Sequence, residues 1–359
     1  MNILHLVHGR SFTGQAAAAL TDVRALAAAG HAGWIGAKSG TALERDCQAQ
    51  DVPFAGGFKQ GRGLARILHL RHDIKRLRAL AAELNLDVVH VHRTSDEFLA
   101  NMAFGKRRPR PALVRTWHRD PRRVPAPILK RLVRSNHAFC CVAREHVEVL
   151  RAAGARHVDY LPPGVDTEFF RLHAVQRDNG PPRIGMVGRM KIHQDRGHHA
   201  FLDILCRLGG ALRWRARIIG HGEGVEPLMD WVKAHPQNKR ILVTYKPDDF
   251  AESVASLDVG LVFAIGSDGT SRPALEMLAC GVPILVADLP GLRELAEDRA
   301  CGRVLPLDGL DAWTEELQRL LSDPDSLRAM QAAARARAEK LYALPVRGQR
   351  LAEFYGKTK

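Results

Sequence analysis

Short apolar runs alternate with longer helix-like stretches along the whole chain, and this alternation constrains the fold more than any other feature. Runs such as Asn2–Val7 and Asp87–His92 are rich in Val, Leu and Ile. Near-continuous apolar runs of this length are typical of strands buried on both faces of a parallel sheet. The stretches between them are long enough for helices that cover those faces. The pattern therefore predicts an α/β protein built from doubly wound parallel sheets.

The predicted strands fall into two groups of six. In the first half they are Asn2–Val7, Gly33–Gly36, Asp87–His92, Ala112–Trp117, Ala138–Val142 and His157–Leu161, with helices that include Gly14–Ala29, Leu64–Asn85 and Ile128–Ser135. In the second half they are Arg183–Val187, Ala216–Ile219, Arg240–Thr244, Val259–Phe263, Ile284–Ala287 and Arg303–Leu305. The Pro- and Gly-rich runs Pro162–Gly164 and Gly180–Pro182 bracket a helix-poor stretch, which predicts a linker between the groups.

Two domains are expected for 359 residues, because one domain usually takes about 100–200. We predict that residues 1–164 form the first and residues 165–344 the second. A C-terminal helix at about 345–359 could pack back on the first domain. A ligand cleft is expected where the carboxyl ends of the strands face each other.

Basic residues are concentrated in the first half of the chain. Residues 1–170 hold 26 Lys and Arg against 15 Asp and Glu, whereas the remainder holds 27 against 24. The basic clusters are Lys59, Arg62, Arg66, Arg71, Lys75, Arg76 and Arg78, and then Lys106, Arg107, Arg108 and Arg110. Apolar residues interleave with the first cluster at helical spacing. This pattern fits either a solvated helix face or a surface that docks on an anionic membrane or a phosphorylated lipid-linked glycan. Nucleic-acid binding is not favoured, because no reader motif accompanies the charge.

The six cysteines show no CxxC spacing, which indicates reduced and mostly buried thiols without a structural metal site. The first ten residues lack the pattern of a signal peptide, and no window approaches the roughly 20 apolar residues of a membrane span. We expect a cytoplasmic protein, in which peripheral contact with the inner face of the membrane is an open alternative. No metal cofactor is expected, because the site motifs contain no Asp-x-Asp pair and no His/Cys cluster.

The segment Gly266–Asp288 carries the strongest chemical signal. It follows a predicted strand and enters a helix near Pro273. The preceding residues lie at the helix N-terminus, where free backbone N–H groups and the helix dipole favour an anion. These residues are Gly269, Thr270 and Ser271. Two carboxylates, Asp268 and Glu276, flank the turn, an arrangement that suits a nucleotide sugar. The alternative is that Glu276 only complements the helix dipole and Asp268 only shapes the turn.

This segment resembles the retaining glycosyltransferases of the GT-B fold, in particular glycosyltransferase family 4 (glycosyl transferases group 1). The family has a carboxylate, a Gly-containing turn, a second Glu eight residues later and a Cys-Gly-x-Pro strand entry. Glu276 and Cys280–Pro283 match this pattern, and Asp268 stands where the family usually has Glu. The resemblance implies two Rossmann-like domains and transfer of a sugar with retention of configuration.

Further matches follow in the family's order, so the resemblance covers nearly the whole chain. Gly188 and Arg189 resemble the first strand end of the second domain, where a following Lys-Gly pair grips the diphosphate. Arg196, before Gly197, is assigned that second cation, and Lys191 remains an alternative. The glycines of a G-x-G turn, in which missing side chains let the backbone approach the nucleotide, are Gly220 and Gly222.

In the first domain, Gly14 resembles the family's Gly-rich N-terminal turn, and His118 is similar to a histidine that contacts the donor sugar. The resemblance implies a nucleotide-diphosphate sugar donor and a glycan or lipid-linked acceptor, as in lipopolysaccharide or surface polysaccharide assembly. Asp268 and His118 would orient the sugar, and Glu276 would hold the ribose. A hinge near Pro162–Gly164 is expected to close the cleft.

Two other functions fit parts of the pattern. A dinucleotide-dependent oxidoreductase also uses doubly wound domains, but it needs G-x-G-x-x-G after its first strand, where this chain has only Gly14. A non-catalytic or divergent nucleotide-sugar-binding protein on the GT-B scaffold is the second alternative, because Asp268 and Arg196 both depart from the family's usual residues.

Overall fold

A computed structural model describes residues 1–7, 13–61, 64–105, 109–171, 180–191, 195–210, 212–264, 271–296 and 299–358, without the side chains of 64–68. The chain forms two compact units. Unit 1 comprises Met1–Gly164 together with Leu344–Lys359, and unit 2 comprises Val165–Ala343. The boundary between the two units lies directly after the Pro162–Gly164 run.

Unit 1 contains a seven-stranded sheet in its described part, and every pair of neighbouring strands is parallel. Its strands are β1 (Asn2–Leu6), β2 (Ala32–Lys38), β3 (Phe54–Phe58), β4 (Val88–Val91), β5 (Ala112–Trp117), β6 (Ala138–Cys141) and β7 (His157–Tyr160). The order across the sheet is β3-β2-β1-β4-β5-β6-β7. The six predicted strands are present, and β3 was not predicted. It is an edge strand that contains Gly56 and Gly57, and Gly57 has a φ of +94°, so its sequence resembles a turn.

Helices connect the strands of unit 1. They are α1 (Gly14–Ala28), α2 (Ala42–Ala49), α3 (Leu64–Glu83), α4 (Thr94–Phe104), α5 (Ala126–Ser135) and α6 (Arg144–Ala152). The predicted helices at Gly14, Leu64 and Ile128 correspond to α1, α3 and α5.

Unit 2 repeats this architecture, and its described residues form a six-stranded parallel sheet in the order β10-β9-β8-β11-β12-β13. The strands are β8 (Arg183–Arg189), β9 (Arg215–His221), β10 (Ile241–Tyr245), β11 (Val259–Val262), β12 (Ile284–Ala287) and β13 (Gly302–Leu305). The helices are α7 (His198–Leu208), α8 (Val225–Ala234), α9 (Phe250–Ala255), α10 (Arg272–Ala279), α11 (Arg293–Ala296), α12 (Leu310–Ser322) and α13 (Pro324–Leu341). The predicted fold class of two doubly wound Rossmann-like sheets is confirmed.

A final helix, α14 (Leu344–Gly356), belongs to unit 1 and packs against α1. At the contact, a Cβ placed on Gly348 would lie 1.9 Å from the carbonyl oxygen of Ala25, so only glycine permits this close approach. A buried ion pair joins the two helices, because Asp22 accepts hydrogen bonds from the Arg347 guanidinium at 2.8 and 3.0 Å. The side chains of Leu351, Phe354 and Tyr355 complete the core on this face of the sheet.

The strand orders determine where binding residues can gather. In unit 1 the order reverses between β1 and β4, and in unit 2 it reverses between β8 and β11. In open parallel sheets, ligands bind outside the carboxyl ends of the strands at such reversals. The loops that follow β1, β4 and β5, and those that follow β8, β9 and β11, are therefore the places to look for function.

The basic helix α3 serves partly structural roles. The Arg76 Nε donates to the Gly56 carbonyl at 3.0 Å, and the Arg78 Nε donates to the Ala103 carbonyl at 2.7 Å. Arg71 and Lys75 are exposed to solvent. Several of the predicted basic residues, Arg62 and 106–108, lie outside the described residues, as does the side chain of Arg66. Some basic side chains of α3 thus bind backbone carbonyl groups, and others are exposed at the surface.

The six cysteines are free thiols, and all except Cys206 are buried. None of the helices in the described part of the chain is long and apolar enough to cross a membrane. Among the same residues, no group of three or more His, Cys, Asp or Glu side chains is arranged to hold a metal ion.

Candidate functional site

Asp195 fixes the start of α7. Its carboxylate accepts hydrogen bonds from the backbone N–H groups of Gly197 at 2.9 Å and His198 at 2.7 Å, and it lies 3.0 Å from the Nδ1 of His199. Burial raises the pKa of this carboxyl, but these hydrogen bonds outweigh it and hold the pKa well below its ordinary value. Asp195 is therefore ionised and binds two backbone N–H groups at the start of α7, whose N-cap is Gly197.

Gly197 is required at the start of α7 for two reasons. Its φ is +107°, a conformation that residues with a Cβ rarely adopt, and a Cβ there would lie 2.4 Å from the Cβ of Phe263. This explains structurally why a glycine directly follows Arg196. Arg196 lies between Asp195, which is held by hydrogen bonds, and Gly197, whose backbone conformation only glycine adopts readily.

Arg189 and Arg196 lie close enough to repel each other. Burial lowers the pKa of Arg196, and the positive charge of Arg189 lowers it further. Arg189 ends β8 and is exposed. Two guanidiniums that repel each other favour an anion between them, and the binding of one by Arg189 and Arg196 stays a prediction. The alternative cation, Lys191, also follows β8, and its backbone packs against Gly224.

Gly220, near the end of β9, and Gly222, directly after it, pack against the backbone at the end of β8. A Cβ on Gly220 would lie 1.8 Å from the Gly188 carbonyl oxygen, and one on Gly222 would lie 1.9 Å from the Met190 carbonyl oxygen. Gly222 also has a φ of +140°. Gly188 itself has open space at its Cβ position. The structure thus gives Gly220 and Gly222 a packing role, and their predicted approach to a nucleotide stays a prediction.

Of the predicted anion-binding turn, Asp268, Gly269 and Thr270 lie outside the described residues. Ser271 is the N-cap of α10, and its hydroxyl accepts a hydrogen bond from the backbone N–H of Ala274 at 3.4 Å. Pro273 lies in the first turn of the helix, as predicted.

Glu276 is buried in α10, with 3% of its surface exposed. One of its oxygens pairs with the Arg272 Nε at 2.6 Å, and Arg272 is itself exposed. Burial raises the pKa of Glu276, and the Arg272 charge and hydrogen bond partly offset this rise. Glu276 is therefore a buried carboxylate with a cationic partner, and it is not a surface residue whose charge only complements the helix dipole. Sequence reasoning missed Arg272, although its spacing of four from Glu276 is the signal of a helical ion pair.

In unit 1, Arg93 links the loops that follow β1 and β4. Its Nε donates to the Gln15 side-chain oxygen at 2.6 Å, and an Nη donates to the Thr13 hydroxyl at 3.1 Å. Thr13 also caps α1, since its hydroxyl accepts from the Ala16 N–H at 3.3 Å. Gly14, between them, has open space at its Cβ position. Sequence reasoning did not single out Arg93.

His118 follows β5 and is half-buried at the same sheet edge. Its Nε2 lies 3.1 Å from the Nδ1 of His92. Burial lowers the pKa of His118 to about 4; the Asp22 carboxylate opposes this shift, while the guanidiniums of Arg115, Arg347 and Arg93 add to it. The imidazole is therefore neutral at physiological pH. Sequence reasoning missed His92, although His90 and His92 stand two apart in the predicted strand Asp87–His92, which places them on one face.

Two glycosyltransferase family models match successive parts of the chain. The model described as Glycosyltransferase Family 4 matches residues 12–169, and the model described as Glycosyl transferases group 1 matches residues 181–323. The matches follow the division into units. The chain belongs to this glycosyltransferase family.

Curated relatives of this glycosyltransferase act on inositol compounds. The chain is 27% identical over 207 residues to a D-inositol 3-phosphate glycosyltransferase of Segniliparus rotundus, covering 54% of this chain and 45% of the relative. It is 28% identical over 219 residues to a GDP-mannose-dependent alpha-(1-6)-phosphatidylinositol monomannoside mannosyltransferase of Mycolicibacterium smegmatis, covering 55% of each. The matched region thus spans about half the length of these relatives.

Solved structures share the fold along the whole chain. The HepE protein of Anabaena, in complex with UDP and glucose, has a TM-score of 0.80 at 16% identity and covers 99% of this chain and 100% of its own. The lipopolysaccharide outer core galactosyltransferase WaaB has a TM-score of 0.76 at 15% identity, with full coverage of both chains.

The predicted site residues that the structure describes lie towards the carboxyl ends of the strands. In unit 2, Arg189 ends β8, Arg196 lies before α7, Ser271 is the N-cap of α10 and Glu276 lies within that helix. In unit 1, Gly14 and His118 lie at the ends of the loop after β1 and of strand β5. Their roles in binding stay predictions.

Proposed function

We propose that this glycosyltransferase transfers a sugar from a nucleotide-diphosphate sugar to a hydroxyl of a glycan or lipid-linked acceptor, with retention of anomeric configuration. The observation that carries the proposal is the pair of mutually repelling guanidiniums formed by Arg189, at the end of β8, and Arg196, before α7. Such a pair gains most from a ligand with two adjacent negative charges. The complexes of HepE with UDP and UDP-glucose support a donor of this class.

Departure of the nucleotide diphosphate places negative charge on its oxygens. Arg189 and Arg196 would stabilise that charge, together with backbone N–H groups at Gly269–Ser271 before α10. In this proposal the guanidiniums take the part that a divalent metal has in other transferases, so the reaction needs no metal cofactor. Metal independence is an expectation that a chelator tests directly.

The carboxylates have separate roles in the proposal. Glu276 accepts hydrogen bonds from the ribose hydroxyls, and its ion pair with Arg272 partly offsets the rise in its pKa that burial causes. Asp268 and His118 orient the donor sugar. A neutral His118 suits this task, because a neutral imidazole offers either a donor or an acceptor to a hydroxyl group.

For the acceptor, the names of the relatives and of WaaB favour a lipid-linked or lipopolysaccharide-type glycan. Helix α5 supports contact with an anionic membrane. It buries Leu129 and Val133 and exposes one large apolar residue beside three cations. The exposed residues are Ile128, Lys130, Arg131 and Arg134. We place this surface at the inner face of the membrane, as a peripheral contact of a cytoplasmic enzyme.

The decisive experiment screens UDP-, GDP- and ADP-sugars by thermal shift and then measures nucleotide diphosphate release with each stabilising donor. A true donor raises Tm by mass action and is turned over, with the product anomer read by NMR. Stabilisation without release over long incubation would favour the non-catalytic binding protein instead. Co-sedimentation with vesicles, with and without anionic lipid, tests the membrane contact; equal binding to both would refute it.

A further inference from the structure

Three histidines form a hydrogen-bonded row on one face of the unit 1 sheet. His5 lies in β1, His92 directly follows β4, and His118 directly follows β5. The Nδ1 of His5 lies 3.0 Å from the Nε2 of His92, and the Nδ1 of His92 lies 3.1 Å from the Nε2 of His118. His5 and His92 are buried, and the centroids of adjacent rings lie 5.3 and 5.4 Å apart. The row thus runs from the core of unit 1 to His118, at the carboxyl end of β5.

The rings of the row are neutral at physiological pH. Burial lowers the pKa of His5 and of His118 to about 4, and it lowers the pKa of His92 further below its ordinary value. The nearby charges are balanced in part, since Asp22 raises the pKa of His5 whereas Arg347 lowers it, and these two residues are paired with each other. Near His118, Arg115 and Arg93 add to the lowering.

The geometry of the row couples the protonation of its members. Each link joins the Nδ1 of one ring to the Nε2 of the next, and a neutral imidazole has one N–H donor and one acceptor nitrogen. Both links can form only if all three rings carry their proton on the same nitrogen. A ring with the other tautomer would place two protons, or two lone pairs, against each other.

We propose that His92 and His5 are positioning residues that fix, through this shared tautomer, whether the Nδ1 of His118 donates or accepts a hydrogen bond. With all protons on Nδ1, His118 presents a donor; with all protons on Nε2, it presents an acceptor. The Nε2 of His5 ends the row in the core without a hydrogen-bond partner in the described part of the chain. A change at His118 is therefore carried through both other rings. The importance of this for catalysis rests on the proposed contact of His118 with the donor sugar.

A fourth histidine provides a matched control. His90 is also fully buried, and its ring stacks on those of His5 and His92 with centroids 4.7 and 4.9 Å apart. Its nitrogens, however, bond to the Tyr355 hydroxyl at 2.6 Å and the Thr116 hydroxyl at 2.7 Å. Replacement of His90 thus disturbs the same packing without entering the row.

The first test needs no substrate. The full chain is labelled with ¹⁵N-histidine, and long-range ¹H–¹⁵N spectra at pH 7.5 report the tautomer of each ring. We expect one common tautomer for His5, His92 and His118, and a changed tautomer ratio of His118 in His5→Phe but not in His90→Phe. Different tautomers within the row, or a charged ring at this pH, would overturn the proposal on the wild-type protein alone.

The second test uses turnover of the donor identified by the screen. We expect His5→Phe to lower kcat roughly 10- to 100-fold, the range for groups that orient a functional histidine, with unchanged affinity for nucleotide diphosphate. His5→Asn, which keeps a group able to donate or accept near the Nδ1 position, should restore most of kcat, and His90→Phe should retain it. Equal losses in His5→Phe and His90→Phe would assign the row a structural role only. Absence of turnover in the wild type would refute the proposed function. The NMR result would still show whether His5, His92 and His118 share one tautomer.

Discussion

The buried imidazole of His5 should make unit 1 sensitive to mild acid. In the unfolded chain this ring has its ordinary pKa of 6.5, whereas in the folded protein burial lowers it to about 4. Between these values the unfolded state binds more protons than the folded state, so stability is lost as the pH falls. The full contribution is present above pH 6.5 and is gone below pH 4. The perturbation to test is His5→Asn, which removes the titrating group and keeps a polar one.

The size of the effect follows from the two pKa values. A shift of 2.5 units from 6.5 to about 4 corresponds to about 3 kcal/mol in the free energy of unfolding. Between pH 7 and pH 5 the linkage relation gives a loss of about 2 kcal/mol from His5. Carboxylates elsewhere in the protein also titrate, but they contribute equally to wild type and variant. The difference between the two proteins therefore isolates this ring.

The assay is urea unfolding at pH 7 and pH 5, with hydrogen exchange of the β1 peptide to assign the transition to unit 1. Wild type should lose about 2 kcal/mol more than His5→Asn between the two pH values. His5→Asn is expected to be less stable than wild type at pH 7, which does not affect the comparison. If both proteins lose the same free energy, His5 is not a buried neutral group and the reasoning is wrong.

Three further predictions concern unit 2. Arg196→Ala should weaken nucleotide diphosphate binding by about 2–4 kcal/mol in calorimetry, with Lys191→Ala as the control. A wild-type Kd for Arg196→Ala, together with weaker binding by Lys191→Ala, would make Lys191 the second diphosphate-binding cation. Glu276→Gln should weaken the same ligand by roughly 1.5–3 kcal/mol at unchanged Tm, because charge-assisted bonds to the ribose are lost, and normal binding would return Glu276 to a structural role. Transfer should continue in excess EDTA, and a loss that added Mg²⁺ or Mn²⁺ repairs would contradict the metal-free mechanism.

Much of the fold could be predicted because buried parallel strands have a strong local signal. Each of the twelve predicted strands exists within two residues of its expected bounds. Strand β3 was not predicted, because Gly56 and Gly57 resemble a turn. Only the pairing of this segment with β2 makes it a strand. Local sequence cannot report a neighbour that lies elsewhere in the chain.

The candidate site shows the same limit at the level of side chains. His118 could be found from its position at a strand end and its resemblance to the family. Its connection to His5 depends on the parallel register of β1, β4 and β5, which joins residues 87 positions apart in the link from His5 to His92. The glycine spacing at Gly220 and Gly222 was visible, but the carbonyl oxygens that exclude a side chain there were not.

Helix α14 has a consequence for synthesis of the protein on the ribosome. The strands and first helices of unit 1 emerge early, but Leu351, Phe354 and Tyr355, which close one face of their core, are translated only after the whole of unit 2. At about 5–20 residues per second, the intervening segment delays this closure by on the order of ten seconds or more. During that interval Ile3, Val88 and Val114 lack their final cover. The nascent chain is thus exposed to chaperones and to aggregation in its first unit, and a fragment that stops at Gly164 would keep that exposure permanently.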